Sequence, residues 1–599
     1  MKISYNWLKS YIKDIPNADE IANLVTFKVC EVEDVEKLEN GDTVFDFKIL
    51  PDRAHDLLSH QGVAKEISSL LGTKFELPEY KTPTPTLTDL KINIETEGCH
   101  RYMGRIVRGV KIGPTPKWMA EYLASIGQRS INNIVDATNI VMFDCGQPIH
   151  AFDLKQVSNQ KIVIKQAQND EKIELVGSEK LTASLKEKDI VITDGIANLA
   201  IAGIKGGLNS GVNNDTVDLL IEVANFDSTS VRKTSRRLGI QTEASKRYEN
   251  NLSPSLCDLA MKEISALIFE MCPSASFEEI VDIYPHKQET KKVNFNASYV
   301  SSMLGVIIKD EEIENILRNY NYDFTHTDDG FEVIVPDMRL DLAGPRDFVE
   351  EIGRVYGYDK IIPEIPKIEK MGEDNILWQK ISFTKQKLIK DGYKEVMTYV
   401  FRDKGDLEVL ASASDKNFLR TNISDGLKES LDLNQKNLPL LGIDELKIFE
   451  VGTVFLKNKE EVHVAYGDKK NIIETTLDKF IEKNKQEFNF GTINLISEEN
   501  SSALVFKPWS VYPFITRDIA VWVPERISPE TLVKIYKDFG TELLICEPKL
   551  FDLFTKDGQT SYAYRLVFQS QEKTLTDDEI NKIMSKITEK ITSSGWKVR

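Results

Sequence analysis

The residues best suited to chemistry fall in three short stretches of a 599-residue chain. Arg129 opens the first, a mostly apolar run that breaks at Gly146-Gln147-Pro148 just before His150, Phe152 and Asp153. Glycine is permissive in backbone angle and proline removes an amide donor, so this break predicts a loop held in place for its side chains. The second stretch is glycine-rich, with Gly203, Gly206, Gly207 and Gly211, and it leads into Leu219-Leu220-Ile221-Glu222-Val223-Ala224, an apolar strand carrying one carboxylate. The third is basic and small: Arg236 and Arg237, then Thr242, Glu243, Ala244, Ser245, Lys246, Arg247 and Tyr248. Glycines let a backbone approach a ligand, arginines suit phosphate, and a buried Glu can read a hydroxyl. Together the stretches predict a pocket for a ligand that is polyanionic with a small head. Taken singly, His150 reads more readily as a structural histidine, and Glu222 equally well as an edge residue facing water. The chain holds no HExxH, no P-loop and no Ser/His/Asp arrangement in a convincing context.

The elements that must position these residues are partly legible. A helix is expected to deliver the chain to Arg129, with Thr115 as N-cap and Pro116 as its first helical residue. Trp118, Met119, Tyr122, Leu123 and Ile126 form its apolar stripe, and Gly127 ends it. Upstream, Trp7, Leu8, Tyr11 and Ile12 have helical spacing, and Thr43 to Leu50 alternates as a strand. Asn40-Gly41 is a hairpin signal. The Pro/Thr-rich stretch 79–88 reads as a linker.

A second chemical candidate lies further on. Asp310 is expected to cap a helix buried through Ile313, Ile316, Leu317 and Tyr320, and Phe331 to Pro336 reads as a strand. Then Asp347, Glu350, Glu351 and Arg354, at i, i+3, i+4 and i+7, share one helix face, opposite Phe348, Ile352, Val355 and Tyr356. By spacing alone this is a solvated face with an Arg–carboxylate pair. With Asp341 at the helix entrance, the same carboxylates also suit a hard cation such as Mg²⁺.

Composition bounds the class. Hydrophobic residues make up 41% and charged residues 28%, which fits a protein of several ordinary domains. No run is apolar enough to span a membrane, and the N-terminus lacks a signal-peptide core. The six cysteines are scattered without a CxxC pair, so a reduced, cytoplasmic setting is expected rather than a structural zinc site. Net charge is −18, whereas nucleic-acid binders usually carry a basic footprint. RNA contact is therefore expected from local patches, Arg232 to Arg237 with Lys246 and Arg247. The last 94 or so residues are nearly balanced in charge, so the acidic excess lies before them and suits a more basic partner chain.

GQPIHAFD, the GGxxSGV loop and the RRLGxxTxASxRYE run occur in the order found in bacterial phenylalanyl-tRNA synthetase beta subunits, a family this chain resembles along nearly its whole length. The resemblance implies a multidomain α+β fold. Its parts would be an N-terminal α+β domain (1–85), an editing domain (90–287), a winged or helical B5-type domain with the acidic helix (290–362), a class II synthetase-like domain without an active site (375–500), and a ferredoxin-like anticodon-binding domain (506–599). It implies tRNA(Phe) binding, assembly with a catalytic alpha subunit as two alpha and two beta chains, and hydrolysis of mischarged Tyr-tRNA(Phe). ATP would be a substrate of the assembled enzyme. The family's pocket maps onto Arg129, His150, Gly203, Gly206, Glu222, Thr242 and Ala244, and its Mg²⁺ site, shared with the alpha subunit, onto Asp341, Asp347, Glu350 and Glu351. One departure is expected: where relatives insert an oligonucleotide-binding barrel, this chain has only the turn Glu39 to Asp42. Two other readings stay open, a non-enzymatic tRNA-binding or assembly protein with a relic pocket, and a free-standing tRNA-ester hydrolase.

Overall fold

The Asn40-Gly41 turn folds as its residues ask. Gly41 takes φ +84°, and the strands Glu31–Lys37 and Thr43–Lys48 pair antiparallel on either side. The computed structural model describes residues 1–177, 181–367, 372, 375–412, 414–488 and 508–599. They divide into two compact units, Met1–Ile365 and Pro366–Arg599. Among the described residues no helix is long and apolar enough to cross a membrane.

Residues 1–85 do not close a core of their own. Trp7, Leu8, Tyr11 and Ile12 are all buried, in one continuous apolar cluster with Met119, Leu123, Ile134 and Ile264 of the next region. Helix α1 (His60–Leu71) carries His60, fully buried between the two regions. Its ring stacks on Trp7, its Nδ1 donates to the Phe143 carbonyl (2.9 Å) and its Nε2 accepts from the Ser4 amide (3.1 Å). The linker expectation holds: residues 79–88 contain a single bridge residue, Thr86.

The functional region is built on an antiparallel sheet with two packed faces. Strands β1 (Cys99–Arg108), β2 (Ile149–Asp153) and β3 (Leu219–Phe226) lie in the order β1-β3-β2, extended beyond β1 by short strands from residues 276–277 and 281–283. Side chains alternate along a strand, so Leu219, Ile221 and Val223 of β3 enter the first cluster while Leu220, Ala224 and Phe226 enter a second. The first face is covered by helix α2 (Asn133–Cys145) and, following in the chain, helices α3 (Ser228–Leu238), α4 (Glu243–Tyr248) and α5 (Leu256–Met271) complete the region, with α5 packed on α2. The second face meets a five-stranded sheet assembled from Lys91–Ile94, Lys161–Gln166 and strands of residues 190–206. The helix before Arg129 spans Lys117–Ser125, and its N-cap is Pro116 without a side-chain cap. Thr115 is diverted: its hydroxyl donates to Asp136 (2.5 Å), a stronger claim on it than an exposed amide.

The rest of the first unit is a three-stranded sheet, Lys292–Phe295, Gly330–Ile334 and Asp323–Thr327 in space, under the helices Ala297–Leu304, Asp310–Asn319 and α6 (Pro345–Tyr356). The N-cap of Asp310–Asn319 is Lys309, so Asp310 supports the helix from its first turn as an anion at the positive end. In the second unit, helix Ile376–Lys390 packs beside a four-stranded sheet, and the anticipated 375–500 domain runs into residues 489–500, outside those described. The C-terminal part is an antiparallel sheet of Lys549–Lys556, Gln559–Phe568, Ile515–Pro524 and Lys597–Val598 carrying helices Pro529–Gly540 and Asp577–Ser593. That is the ferredoxin-like α+β arrangement the sequence suggested.

Candidate functional site

The site is centred on one carboxyl group in the middle of β3. Register places Glu222 opposite His150 of β2 and opposite Gly104 of β1. Opposed residues of an antiparallel pair project to the same face, so Glu222 and His150 share the face that packs on the second cluster. Glu222 is 6% exposed. Its Oε2 accepts from the Tyr102 hydroxyl at 3.1 Å, and burial pushes its pKa up to about 8, against a smaller downward pull from Tyr102. Near neutral pH it is therefore a protonated acid, able to donate as well as accept. The sequence pointed to a bare carboxylate reader. The fold instead supplies a neutral acid already holding one partner.

His150 complements it. The ring is set edge-on to Phe152, centroids 4.5 Å apart, and burial lowers its pKa to about 4, leaving a neutral imidazole. Its Nε2 is buried and, among the described residues, has no hydrogen-bond partner. A buried polar atom without a partner costs about 1–3 kcal/mol, so the nitrogen is poised to accept one from a ligand or a water. Gly206 lies directly against it: a Cβ there would fall 2.6 Å from Cε1 and 2.9 Å from Nε2. Glycine at 206 is required for the ring to sit where it does.

The other expected pocket residues take more structural parts. Gly203 has φ +68°, and a Cβ there would lie 3.0 Å from Tyr248 and from Val231, so its turn and packing account for the glycine. The Thr242 hydroxyl accepts from the Ser245 amide (3.0 Å) as N-cap of α4 and donates to the Ile204 carbonyl (3.0 Å), tying the glycine loop to that helix. Ala244 is half-buried at the start of α4, against both apolar clusters. Arg129 is exposed in the loop ahead of α2. Tyr102 was not anticipated, because it sits on β1, a strand with no chemical motif. Gln147 lies in the Gly146–Pro148 break. It is fully buried, with Nε2 near the Ala224 carbonyl (2.8 Å) and the Tyr248 hydroxyl (3.1 Å). After Gly146 ends α2 at φ +89°, this side chain fastens the turn that brings β2 alongside β3.

The acidic quartet is not assembled as a metal site. Asp341 and Glu351 are both taken by Arg339, whose Nε and Nη2 donate to Asp341 (3.0 and 2.7 Å) and whose Nη1 and Nη2 donate to Glu351 (2.7 and 2.9 Å). Glu351 is 3% exposed and also meets Arg354, so half of the face expected to be solvated is buried. Arg354 continues to Glu66 of α1 (2.5 Å), which receives Arg53 as well (2.8 Å). Despite desolvation, the Glu351 and Glu66 carboxyls are held below their usual range by these guanidinium groups, and Asp341 by a hydrogen bond with His55 (3.1 Å) and by Arg339. Asp347 accepts from the Ala343 and Gly344 amides at the helix start (2.7 and 2.8 Å), and Glu350 is exposed. Among the described residues no group of three or more His, Cys, Asp or Glu is placed to hold a metal. Spacing located the carboxylates correctly but could not show that Arg339, outside the helix, neutralises two of them.

The two nucleic-acid surfaces differ in outcome. Arg232, Lys233, Arg236 and Arg237 line the exposed side of α3, and Lys246 is exposed on α4. Arg247, grouped with them in the sequence, is fully buried: it donates to the Leu58 carbonyl (3.1 Å) and pairs with Glu243 (2.8 Å). On the C-terminal sheet, Trp522 meets Phe554 edge-on at 6.0 Å and Arg565 lies over Phe551 at 5.4 Å, both phenylalanines half exposed. Exposed rings beside a guanidinium are suited to stacking on unpaired bases.

Comparison with known proteins follows the same division. Residues 98–273 match the B3/4 domain, 293–358 the tRNA synthetase B5 domain, 361–493 the phenylalanyl tRNA synthetase beta chain CLM domain, and 510–599 the ferredoxin-fold anticodon binding domain. The chain is 31% identical to the phenylalanine–tRNA ligase beta subunit of Thermotoga maritima, over 93% of this chain and 80% of that protein. It is 30% identical to the subunit of the same name from Clostridium acetobutylicum, again over 93% and 80%, and 29% identical to that of Clostridium tetani, over 92% and 80%. With these domains in order and four-fifths of its relatives' length matched, the chain belongs to the family of phenylalanine–tRNA ligase beta subunits.

Proposed function

We propose that this chain is the beta subunit of a phenylalanine–tRNA ligase. It binds tRNA(Phe), assembles with a catalytic alpha subunit as two chains of each, and hydrolyses Tyr-tRNA(Phe) at the Glu222–His150 site. The alpha subunit takes ATP and phenylalanine, and the assembly works in the cytoplasm. The observation that carries the editing part is Glu222, a buried carboxyl kept protonated on the same sheet face as an unpartnered imidazole nitrogen.

The chemistry follows from selectivity. A pocket shaped for phenylalanine rejects tyrosine, which merely adds a hydroxyl, by only about a hundredfold. A second site must read that hydroxyl. Neutral Glu222 can donate to the phenol oxygen and accept from its proton, while a phenylalanyl ring would satisfy neither and leave the acid short of a partner. For a neutral group this costs about 1–3 kcal/mol, a discrimination of roughly ten- to a hundredfold. In the hydrolysis a water oxygen bonds to the ester carbonyl carbon and the bond to the ribose oxygen breaks. His150 Nε2, neutral at this pH, accepts the water's proton, which passes to the ribose oxygen as it leaves. Asp341 and Glu351, paired with Arg339, take no part in this step.

The test uses the assembly reconstituted with an alpha subunit and saturating tRNA. Tyr-tRNA(Phe) should be deacylated much faster than Phe-tRNA(Phe), and Ala244→Trp, which fills the half-buried position at the start of α4, should abolish the difference without impairing aminoacylation. Equal background hydrolysis of both esters by wild type and variant would leave the relic-pocket reading in place. Hydrolysis by the lone chain would favour the free-standing hydrolase.

A further inference from the structure

Positive charge collects in one place on a chain whose net charge is −18. Helix α3 exposes Arg232, Lys233, Arg236 and Arg237, while its opposite side buries Val231, Thr234 and Ser235. Across from α3, the turn before the strand Ile190–Thr193 exposes Lys186 and Lys188. The two elements border one groove of about 410 Å³, lined by Lys186, Lys188, Lys233 and Arg237 together with Ser230 and Thr234. Its geometry is fixed from beneath by Asp189, which is 3% exposed. The Asp189 carboxylate accepts from the Lys186 amide (2.7 Å) and the Thr234 hydroxyl (2.7 Å), and it pairs with Arg237, which also donates to the Ser184 carbonyl (3.1 Å).

Asp189 therefore consumes one cation and ties the Lys186 turn to α3. Among the described residues Lys186, Lys188, Arg232, Lys233 and Arg236 form no salt bridge, and Glu187 is the other acidic group of the groove. Exposed like charges held side by side repel one another unless a polyanion neutralises them. The strip is also joined to the elements that carry the site. Helix α3 begins directly after β3, its Val231 packs under Gly203, and it contacts α4, which carries Thr242 and Ala244.

We propose that the α3 face and the Lys186–Lys188 turn form a track for the phosphate backbone of RNA, which guides the aminoacylated end of a tRNA to Glu222 and His150. The track deepens the editing function proposed above and rests on it. Occupancy by RNA follows from charge complementarity: repeated lysine and arginine side chains along a helix and a turn match repeated phosphates, and no base reader is needed for delivery.

The experiment compares wild type with Lys233→Gln/Arg236→Gln and Lys186→Gln/Lys188→Gln, each assembled with the alpha subunit. One arm measures the KM and kcat of Tyr-tRNA(Phe) deacylation over a salt series. Each double variant should raise KM about tenfold at 0.1 M salt with kcat retained, and should flatten the slope of log KM against log salt by about 2. A second arm measures direct binding of an acceptor-stem minihelix ending in CCA, which reads the track even if wild type hydrolyses nothing and the editing reading itself fails. Weaker, less salt-dependent minihelix binding in both variants supports the track. Unchanged affinity and slope in both arms overturn it, as does a loss confined to association with the alpha subunit. Circular dichroism melts of the variants should match wild type, because the replaced side chains are exposed and outside the Asp189 network.

Discussion

Replacing Glu222 by Gln should stabilise the region around β3, by an amount that depends on pH. In the fold this carboxyl is buried and its pKa is raised to about 8 from an ordinary 4.5. Below pH 4.5 both folded and unfolded chains hold the proton, and the acid costs nothing in charge. Between 4.5 and 8 the unfolded chain releases its proton while the folded chain keeps it, so each pH unit lowers stability by about 1.4 kcal/mol. At pH 7 the accumulated cost is roughly 3 kcal/mol, and above pH 8 it levels off. Glutamine removes the titration and can still accept from Tyr102, but its amide must find an acceptor, which returns about 1 kcal/mol or more. The net gain at pH 7 is then roughly 1–2 kcal/mol. Hydrogen-exchange protection of β2 and β3 amides, followed from pH 5 to pH 9 in wild type and variant, isolates this region from the other domains. The difference should grow with pH up to about 8 and then flatten. A difference that is constant with pH, or a variant less stable than wild type at pH 8, would refute the reasoning that Glu222 is held as a neutral acid. The same variant keeps a donor and an acceptor in the place of the neutral acid, so it should retain discrimination between tyrosyl and phenylalanyl esters, whereas Glu222→Ala should lose it.

Three further outcomes follow. Gly206→Ala puts a methyl within 3 Å of His150, so deacylation should drop at least tenfold while aminoacylation by the assembly is kept, measured on the same preparation. Glu351→Gln removes the carboxylate that Arg339 and Arg354 share, leaving them Asp341 and Glu66, and should destabilise the chain by roughly 1–3 kcal/mol, whereas Glu350→Gln, at an exposed position, should stay within about 0.5 kcal/mol in urea unfolding. Asp144 on α2 and Glu263 on α5 are bridged by Gln61 (2.7 and 3.2 Å), flanked by Tyr11 and Tyr80, and burial raises both carboxyls. The folded pair holds protons that the unfolded chain has lost, so stability falls as pH rises above the ordinary carboxylate range, and Asp144→Asn should blunt that fall in melts taken from pH 5 to pH 9.

Local signals in the sequence determined much of this protein. Periodicity located β3 and the strand Gly330–Ile334, the Asn-Gly pair located the first hairpin, and Gly146 marked the end of α2, because each depends on residues adjacent in the chain. Ordered motifs along the chain also carried the family. Tertiary structure decided what those residues became. Glu222 is a neutral acid because the two packed faces exclude water from it, an effect that outweighs the opposing hydrogen bond from Tyr102, on a strand 120 residues away. Asp341 and Glu351 were expected as metal ligands from the family resemblance, and only the tertiary structure shows Arg339 entering from outside the helix to pair with both. Arg247 read as surface charge beside its basic neighbours, yet its position on α4 turns it inward to the Leu58 carbonyl. Burial and long-range partners set charge state, and neither is encoded within a short window of sequence.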